Sequence, residues 1–442
     1  MSLQEESTSA SPGISGSTKR SEPLRDRSAP GKGGAALTIV YVWDADYPWD
    51  VRTEKICAAL AAAGHDVHIV ARNKRRGPEL ERLPEGTVHR MPSWRWAGAR
   101  IDRALSFPAF FSPRWRSFLD SVVRSVHPDV ILVRDLPLCP LAISVGRKHG
   151  IPVILDMAEN YAAMMKETWD AGRQKWFDVA VRNPKAVEKV EAYCLRHLDH
   201  VLTVVEESSE RIIREGLPAQ RADVVSNTPS RARAQHAPAR DYFAGGPLHV
   251  VYLGLMEIPR GVAELLDAVA LLHGQGKPIR LTLIGGGRDE AIFRERAARL
   301  GLDGVAEFHG YVQNKKALDL VAAADVGVVP HHANDSWNST IPNKLFDYMA
   351  VALPVVSSDA IPCARVVRET SAGEVFRSRD AADLARAIDR FFDPTARRMC
   401  GEAGRAAVLE RYNWEASTAV LLHVVATIAA SRSRHLAAAT LR

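Results

Sequence analysis

The strongest constraint on the fold is a repeated alternation of short apolar runs with helical stretches. Leu37–Trp43 reads as a buried strand, Asp50 as the cap of a helix over Val51–Ala63 that Gly64 ends, and Val67–Val70 as the next strand. Val130–Val133, Val153–Asp156 and Val201–Val205 continue the series, with helical patterns between them. The chain becomes rich in Pro, Gly and Ala over Ala237–Pro247, and the alternation then restarts. Its second set of strands is His249–Leu253, Arg280–Ile284, Val305–His309, Val326–Pro330 and Pro354–Ser357. Between the first two, Val262, Leu265, Leu266, Val269 and Leu272 share one helix face. Repetition of this kind builds parallel, doubly wound sheets. The expectation is an α/β protein with one such domain over 36–240 and another over 245–415, facing a central cleft where ligands bind at strand carboxyl ends. An Ala-rich terminal helix at about 416–435, with Trp414 at its start, is expected to pack back on the first domain.

Composition narrows the class. The chain has 442 residues, 46% hydrophobic and 25% charged, ordinary for a globular protein of two or three domains. A net charge of +6 is too modest at this length to argue for nucleic acid, and none is expected as a partner. The five cysteines, Cys57, Cys139, Cys194, Cys363 and Cys400, are scattered without a Cys-x-x-Cys, so neither a zinc site nor a redox motif is signalled. Reduced, buried thiols in a cytoplasmic protein are expected. No apolar run reaches the ~18–20 residues of a spanning helix, and no secretory signal is visible at the N-terminus. Residues 1–35, rich in Ser, Gly, Pro and charge, read as a disordered tail.

Two stretches carry chemistry. After the Val326–Pro330 strand comes Ser339-Thr340-Ile341-Pro342-Asn343-Lys344-Leu345-Phe346-Asp347. Pro342 suits the first turn of a helix, with Ser339 or Thr340 as its cap, and such a helix start binds phosphate. Asn343 and Asp347, four apart, share a face, and a carboxylate one turn in suits the hydroxyls of a ribose. An ordinary capped helix with a solvated Asp347 fits the spacing equally. The second stretch, Gly254-Leu255-Met256-Glu257-Ile258-Pro259-Arg260-Gly261, leaves the first strand of the second domain and opens a helix. Gly254 permits close backbone approach, and Arg260 suits charge on a departing diphosphate. By itself Arg260 reads as a surface arginine beside a turn.

Together these stretches resemble glycosyltransferase family 4 of the GT-B fold. The family's Gly-Arg-x(4)-Lys-Gly segment corresponds to Gly254-Leu255 and Arg260-Gly261, and its Glu-x(7)-Glu motif to Ser339 and Asp347. Pro342 to Ala350 resembles a Pro-Asn-Lys-Leu-Phe-Glu-Tyr-Met-Ala version of that motif. Ile284-Gly285-Gly286-Gly287 and Phe308-His309-Gly310-Tyr311 agree as well, and Asp156-Met157-Ala158-Glu159 is similar to the family's Asp-x-His-Glu segment. The resemblance implies two Rossmann-like domains and a retaining, metal-independent transfer from a nucleotide-sugar donor to a glycan or lipid-linked acceptor, with no cofactor. It implies that Arg260, Lys344 and Glu159 act at the reacting centre. Gly254, Gly286, Ser339, Thr340, Pro342, Asn343, Asp347, Tyr311 and Val312 would bind the donor, and Arg134 and Asp135 would face the acceptor. Leu255 and Ser339 depart from the family's Arg and Glu. The alternative is therefore a catalytically silent relative that serves as a binding or assembly subunit.

Other signals weigh less. Asp44-Ala45-Asp46 spells a metal-binding pair but follows the first strand, far in sequence from the phosphate site. His331-His332 matches no usual ligand spacing and reads as cleft lining. Over Arg90–Arg116, Trp94, Arg95, Trp96, Arg100, Arg103, Phe107, Phe110, Phe111, Arg114 and Trp115 interleave rings with cations. The pattern suits an anionic membrane surface at the inner face of the membrane, stacking on nucleic acid or a polysaccharide, or a mixed face whose rings join the core, and peripheral membrane contact is the expectation.

Overall fold

A computed structural model describes residues 36–92, 109–170 and 183–440. Strands β1 (Thr38–Asp46), β2 (Asp66–Arg72), β3 (Leu80–Leu83), β4 (Gly86–Arg90), β5 (Val130–Arg134), β6 (Val153–Met157), β7 (His200–Thr203) and β8 (Ala222–Val224) form one sheet. Its order is β3-β4-β2-β1-β5-β6-β7-β8, parallel except for the β3–β4 pair. Strands β9 (Leu248–Leu253), β10 (Ile279–Ile284), β11 (Ala306–Gly310), β12 (Val326–Val329), β13 (Val355–Ser358) and β14 (Gly373–Phe376) form a second, all-parallel sheet in the order β11-β10-β9-β12-β13-β14. In both, the order reverses beside the first strand of the unit, which opens a crevice at the strand carboxyl ends.

The central strands are buried on both faces, as Val-Ile-Leu-Val-Arg in β5 and Val-Ile-Leu-Asp-Met in β6 show. The helix Val51–Ala62 starts where the Asp50 carboxylate accepts the Thr53 amide at 2.9 Å. The helix Pro113–Val126 is capped by Ser112 and buries Trp115, Leu119, Val122 and Val123, an i, i+4, i+7, i+8 stripe. In the helix Val262–Gly274 the expected face is buried, each large side chain contributing about 1.5–3 kcal/mol.

The chain crosses between the sheets twice. The first crossing carries the short helix Arg231–Gln235. The second follows the helix Pro394–Glu410 and enters Trp414–Thr440, and the two are tied by the Trp414 amide on Pro229 O at 2.8 Å. Leu421, Val424 and Val425 lie in the core beneath β1, β2 and the helix Val51–Ala62. Against the expectation that no run suffices, a window within 394–431 is long and apolar enough to cross a membrane by length and composition alone. These three side chains are instead packed against the first sheet.

Sequence reasoning left out β3, β4, β8 and β14. β3 reads Leu-Glu-Arg-Leu, half exposed and without β-branched residues, so neither alternation nor propensity marks it. β7 ends before Val204 because Thr203 Oγ1 turns to bond Ser209 Oγ at 2.6 Å and Val205 O at 3.2 Å, starting the next helix.

Candidate active site

At the carboxyl edge of the second sheet, the backbone of Gly254 follows β9 with φ +148°, a conformation side chains rarely adopt. A Cβ there would lie 2.5 Å from Lys344 Nζ, so glycine makes room for that ammonium. Lys344 belongs to the helix Asn343–Ala350, is buried, and sits 4.0 Å over the Tyr252 ring. Among the described residues its Nζ has no hydrogen-bond partner. Burial, and then the charge of Arg260, hold its pKa well below the ordinary lysine value. Arg260 ends the turn Ile258–Arg260, with Nη1 3.2 Å from His331 Nε2 and its guanidinium 4.6 Å over the Trp337 ring. Gly261 at φ +70° lets the turn lie flush on the segment after β12, since a Cβ would meet Pro330 O at 1.8 Å.

Two basic side chains thus converge, and among the described residues no anion is bonded to either. Burying such charges costs several kcal/mol unless something neutralises them. A diphosphate is the anion whose size and charge match a pair of cations beside a glycine-lined edge and a helix start. Leu255 has an exposed side chain, and its carbonyl accepts from Tyr252 Oη at 2.7 Å.

The helix start differs from the expectation. The helix begins at Asn343, Pro342 occupies the capping position with ψ 132°, and no side chain caps it. Ser339 Oγ is spent on the carbonyls of Asp335 and Ser336 at 2.9 and 3.1 Å, and Thr340 Oγ1 donates to Ala158 O at 3.2 Å across the cleft. Both hydroxyls donate to carbonyls, and neither oxygen accepts a helix amide, a placement that spacing does not reveal. Asn343 is exposed. Asp347 does not point to open solvent: its Oδ1 is 2.7 Å from Arg233 Nη1, in the first crossing. Burial raises its pKa, opposed by Arg233 and Lys55. Arg233 was missed because its partner lies 114 residues away. Tyr311 is 76% exposed, its ring against Gly286, and Val312 packs beneath on the core.

The facing wall belongs to the first domain. Arg134 ends β5 and is buried, with Asp50 and Asp135 at 3.6 Å and Asp156 at 3.9 Å. Among the described residues its Nε and Nη1 have no hydrogen-bond partner. Burial works against its charge, but these carboxylates outweigh it and raise its pKa. Asp135 has φ +56°, a strained value for a non-glycine, and its carboxylate accepts the Ala158 amide at 3.0 Å. Glu159 is solvent-reached yet walled by the cleft. Burial and then Asp135 raise its pKa, while Arg134 and, across the cleft, Arg260 lower it. Beneath them Asp156 is bonded by Arg52 Nε at 2.9 Å and Tyr41 Oη at 2.7 Å. Burial opposes its charge, but Arg52 and Arg134 prevail and its pKa is lowered.

The discounted signals have partners of their own. Asp44 pairs with Arg72 at 2.5 Å, and Asp46 accepts the amides of Lys74 and Arg75 at 2.7 and 2.9 Å. Of the Arg90–Arg116 stretch, residues 93–108 lie outside the described residues. Phe110 and Trp115 are buried in the first core, and Phe111 is exposed.

Residues 50–228 match the glycosyl transferase 4-like domain, and residues 247–393 match the glycosyl transferases group 1. Glycogen synthase of Mycobacterium tuberculosis is 23% identical over 384 residues, 81% of this chain and 86% of the relative. Phosphatidyl-myo-inositol mannosyltransferase of Mycobacterium leprae is 30% identical over 186 residues, 42% of this chain and 48% of that one. Among solved structures, sucrose-phosphate synthase from Thermosynechococcus elongatus superposes with a TM-score of 0.69 at 20% identity, covering 89% of this chain and all of that one.

Proposed function

Because this chain belongs to the glycosyltransferases of the GT-B fold, related to family 4 through both of its halves, we propose that it moves a sugar from a nucleoside diphosphate sugar to a glycan or lipid-linked acceptor. The observation that carries this reading is the buried ammonium of Lys344, unpartnered and beside Arg260. The diphosphate lies between them, so negative charge developing on the leaving group meets two fixed cations in a low-dielectric wall. That arrangement performs the charge neutralisation that a metal performs elsewhere, and the transfer runs without one. Asp347 shares its carboxylate between Arg233 and the ribose, Gly254 and Gly286 let the backbone approach the nucleotide, and Tyr311 and Val312 border the base.

The acceptor lies on the first-domain wall. Arg134 offers donors to its oxygens, and Asp135 and Glu159 accept from its hydroxyls. Transfer with retention follows when the acceptor attacks from the face the diphosphate leaves, with a diphosphate oxygen taking the hydroxyl proton. This geometry needs no enzyme nucleophile, and position 339, where a carboxylate would approach the sugar, is a serine turned to its own loop. The name of the Mycobacterium leprae relative supports a lipid-linked acceptor. Exposed Phe111, beside Arg114 and Arg116, supports contact of residues 90–116 with an anionic membrane surface at the inner face of the membrane. Flotation with anionic vesicles at low salt tests that contact; protein left at the bottom of the gradient rejects it.

Binding of UDP, GDP and ADP in EDTA, by wild type and Asp347→Ala, tests the donor reading. Saturable binding of one nucleotide, weakened about tenfold in the variant, supports it. A folded wild type that binds none favours the silent-relative alternative.

A further inference from the structure

The turn that carries Arg260 is braced by the segment leaving β12. The His332 amide donates to Pro259 O at 3.0 Å, and its ring lies 2.9 Å from Glu264 on the following helix. His331, fully buried, brings Nε2 to 3.2 Å from Arg260 Nη1. Trp337 lies edge-on to His331 with centroids 4.3 Å apart and presents its face to the guanidinium. An arginine has only donors, so the His331 ring is the neutral tautomer with its lone pair on Nε2. Its Nδ1 has no hydrogen-bond partner among the described residues.

The choice of groups matters. Arg260 and Lys344 repel each other, so an unrestrained Arg260 swings toward solvent. A carboxylate brace would hold it but would cancel its charge and compete with the incoming phosphate. A lone pair and an indole face hold a cation and leave its charge available. We infer that His331 and Trp337 are positioning residues that fix the Arg260 guanidinium toward the β-phosphate of the donor, an inference that rests on the donor-site reading above.

The test compares affinity for a nucleoside diphosphate with affinity for the matching monophosphate, by calorimetry, for UDP, GDP and ADP against their monophosphates. The ratio isolates the β-phosphate and needs no acceptor. Arg260→Ala sets the floor. His331→Leu and Trp337→Leu lower the ratio about tenfold, the scale of a hydrogen bond to a charged group, with monophosphate affinity unchanged. His331→Gln, which places an acceptor near the Nε2 position, restores most of it, and Arg260→Ala with His331→Leu is no worse than Arg260→Ala alone. A merely structural role lowers both affinities together, or leaves the ratio unmoved in variants that keep the wild-type melting temperature; either result overturns the inference. A wild type that binds no diphosphate removes the donor reading and this inference with it. A wild type that binds with an unmoved ratio in His331→Leu removes this inference alone.

Discussion

The two walls of the cleft bury charge in opposite ways. In the first domain, Asp156 is fully enclosed, and Arg52 and Tyr41 satisfy both of its oxygens. In the second, Lys344 is almost as enclosed, and its Nζ meets the Tyr252 ring but no hydrogen-bond partner among the described residues. The Asp156 cluster is complete in itself and stabilises the fold, whereas Arg134 above it keeps Nε and Nη1 without hydrogen-bond partners among the described residues. The second wall places Lys344 Nζ beside Arg260 with no hydrogen-bonded anion among the described residues, and a diphosphate is the charge the proposed function brings there. The difference teaches where to look for a ligand: in the buried groups that the protein leaves unsatisfied.

Breaking the satisfied wall should cost the most. Asp156→Asn leaves Arg52 buried without its counter-charge, an expected loss of about 3–5 kcal/mol. Urea unfolding with an unchanged slope checks it, and a loss under about 1 kcal/mol would show that the pair is dispensable. On the other wall Arg260→Ala should cost about 1.5–3 kcal/mol in diphosphate affinity and little in stability, measured by calorimetry beside a melting curve.

The pH dependence sharpens the contrast. Lys344 has a folded pKa depressed below 10.5, so the unfolded chain binds more protons in that window. Ligand-free stability therefore rises as pH climbs from the depressed value toward 10.5, and falls as pH drops back through it. A bound diphosphate favours the charged ammonium and reverses the shift. Calorimetry at mildly alkaline pH in two buffers of different ionisation enthalpy should show proton uptake on binding in wild type and less in Lys344→Met.

The smallest effect is expected where the walls meet. Arg365 of the second domain reaches Glu206 and Glu207 of the first at 2.6 Å each. These groups are partly exposed, so Arg365→Ala should cost less than about 1 kcal/mol, and the loss should fade with salt. An undiminished loss at high salt would mean packing rather than charge.

Much of this was legible in the residues. The apolar runs located most of the inner strands, because buried parallel strands read as continuous β-branched stretches. Gly254, Arg260 and the helix start at Pro342 stood out because a phosphate site draws on glycine, a cation and a helix start, and Lys344 was named only through the family resemblance. What escaped was what depends on distance in space. Arg233 reaches Asp347 from the crossing, His331 and Trp337 meet Arg260 from a polar loop, and Ser339 and Thr340 chose carbonyls over the helix start. Local pattern carries no record of such partners. β3 escaped for a different reason: an edge strand that is half exposed has little apolar signature.

The most direct measurement is thermal unfolding of Lys344→Met against wild type, with and without the preferred nucleoside diphosphate. Removing a buried, unpaired charge while keeping its volume should leave the ligand-free protein as stable as wild type or more so, and should abolish most of the stabilisation by the diphosphate. A variant that is destabilised without ligand, yet is stabilised by the diphosphate as much as wild type, would contradict the assignment of Lys344 to the donor site.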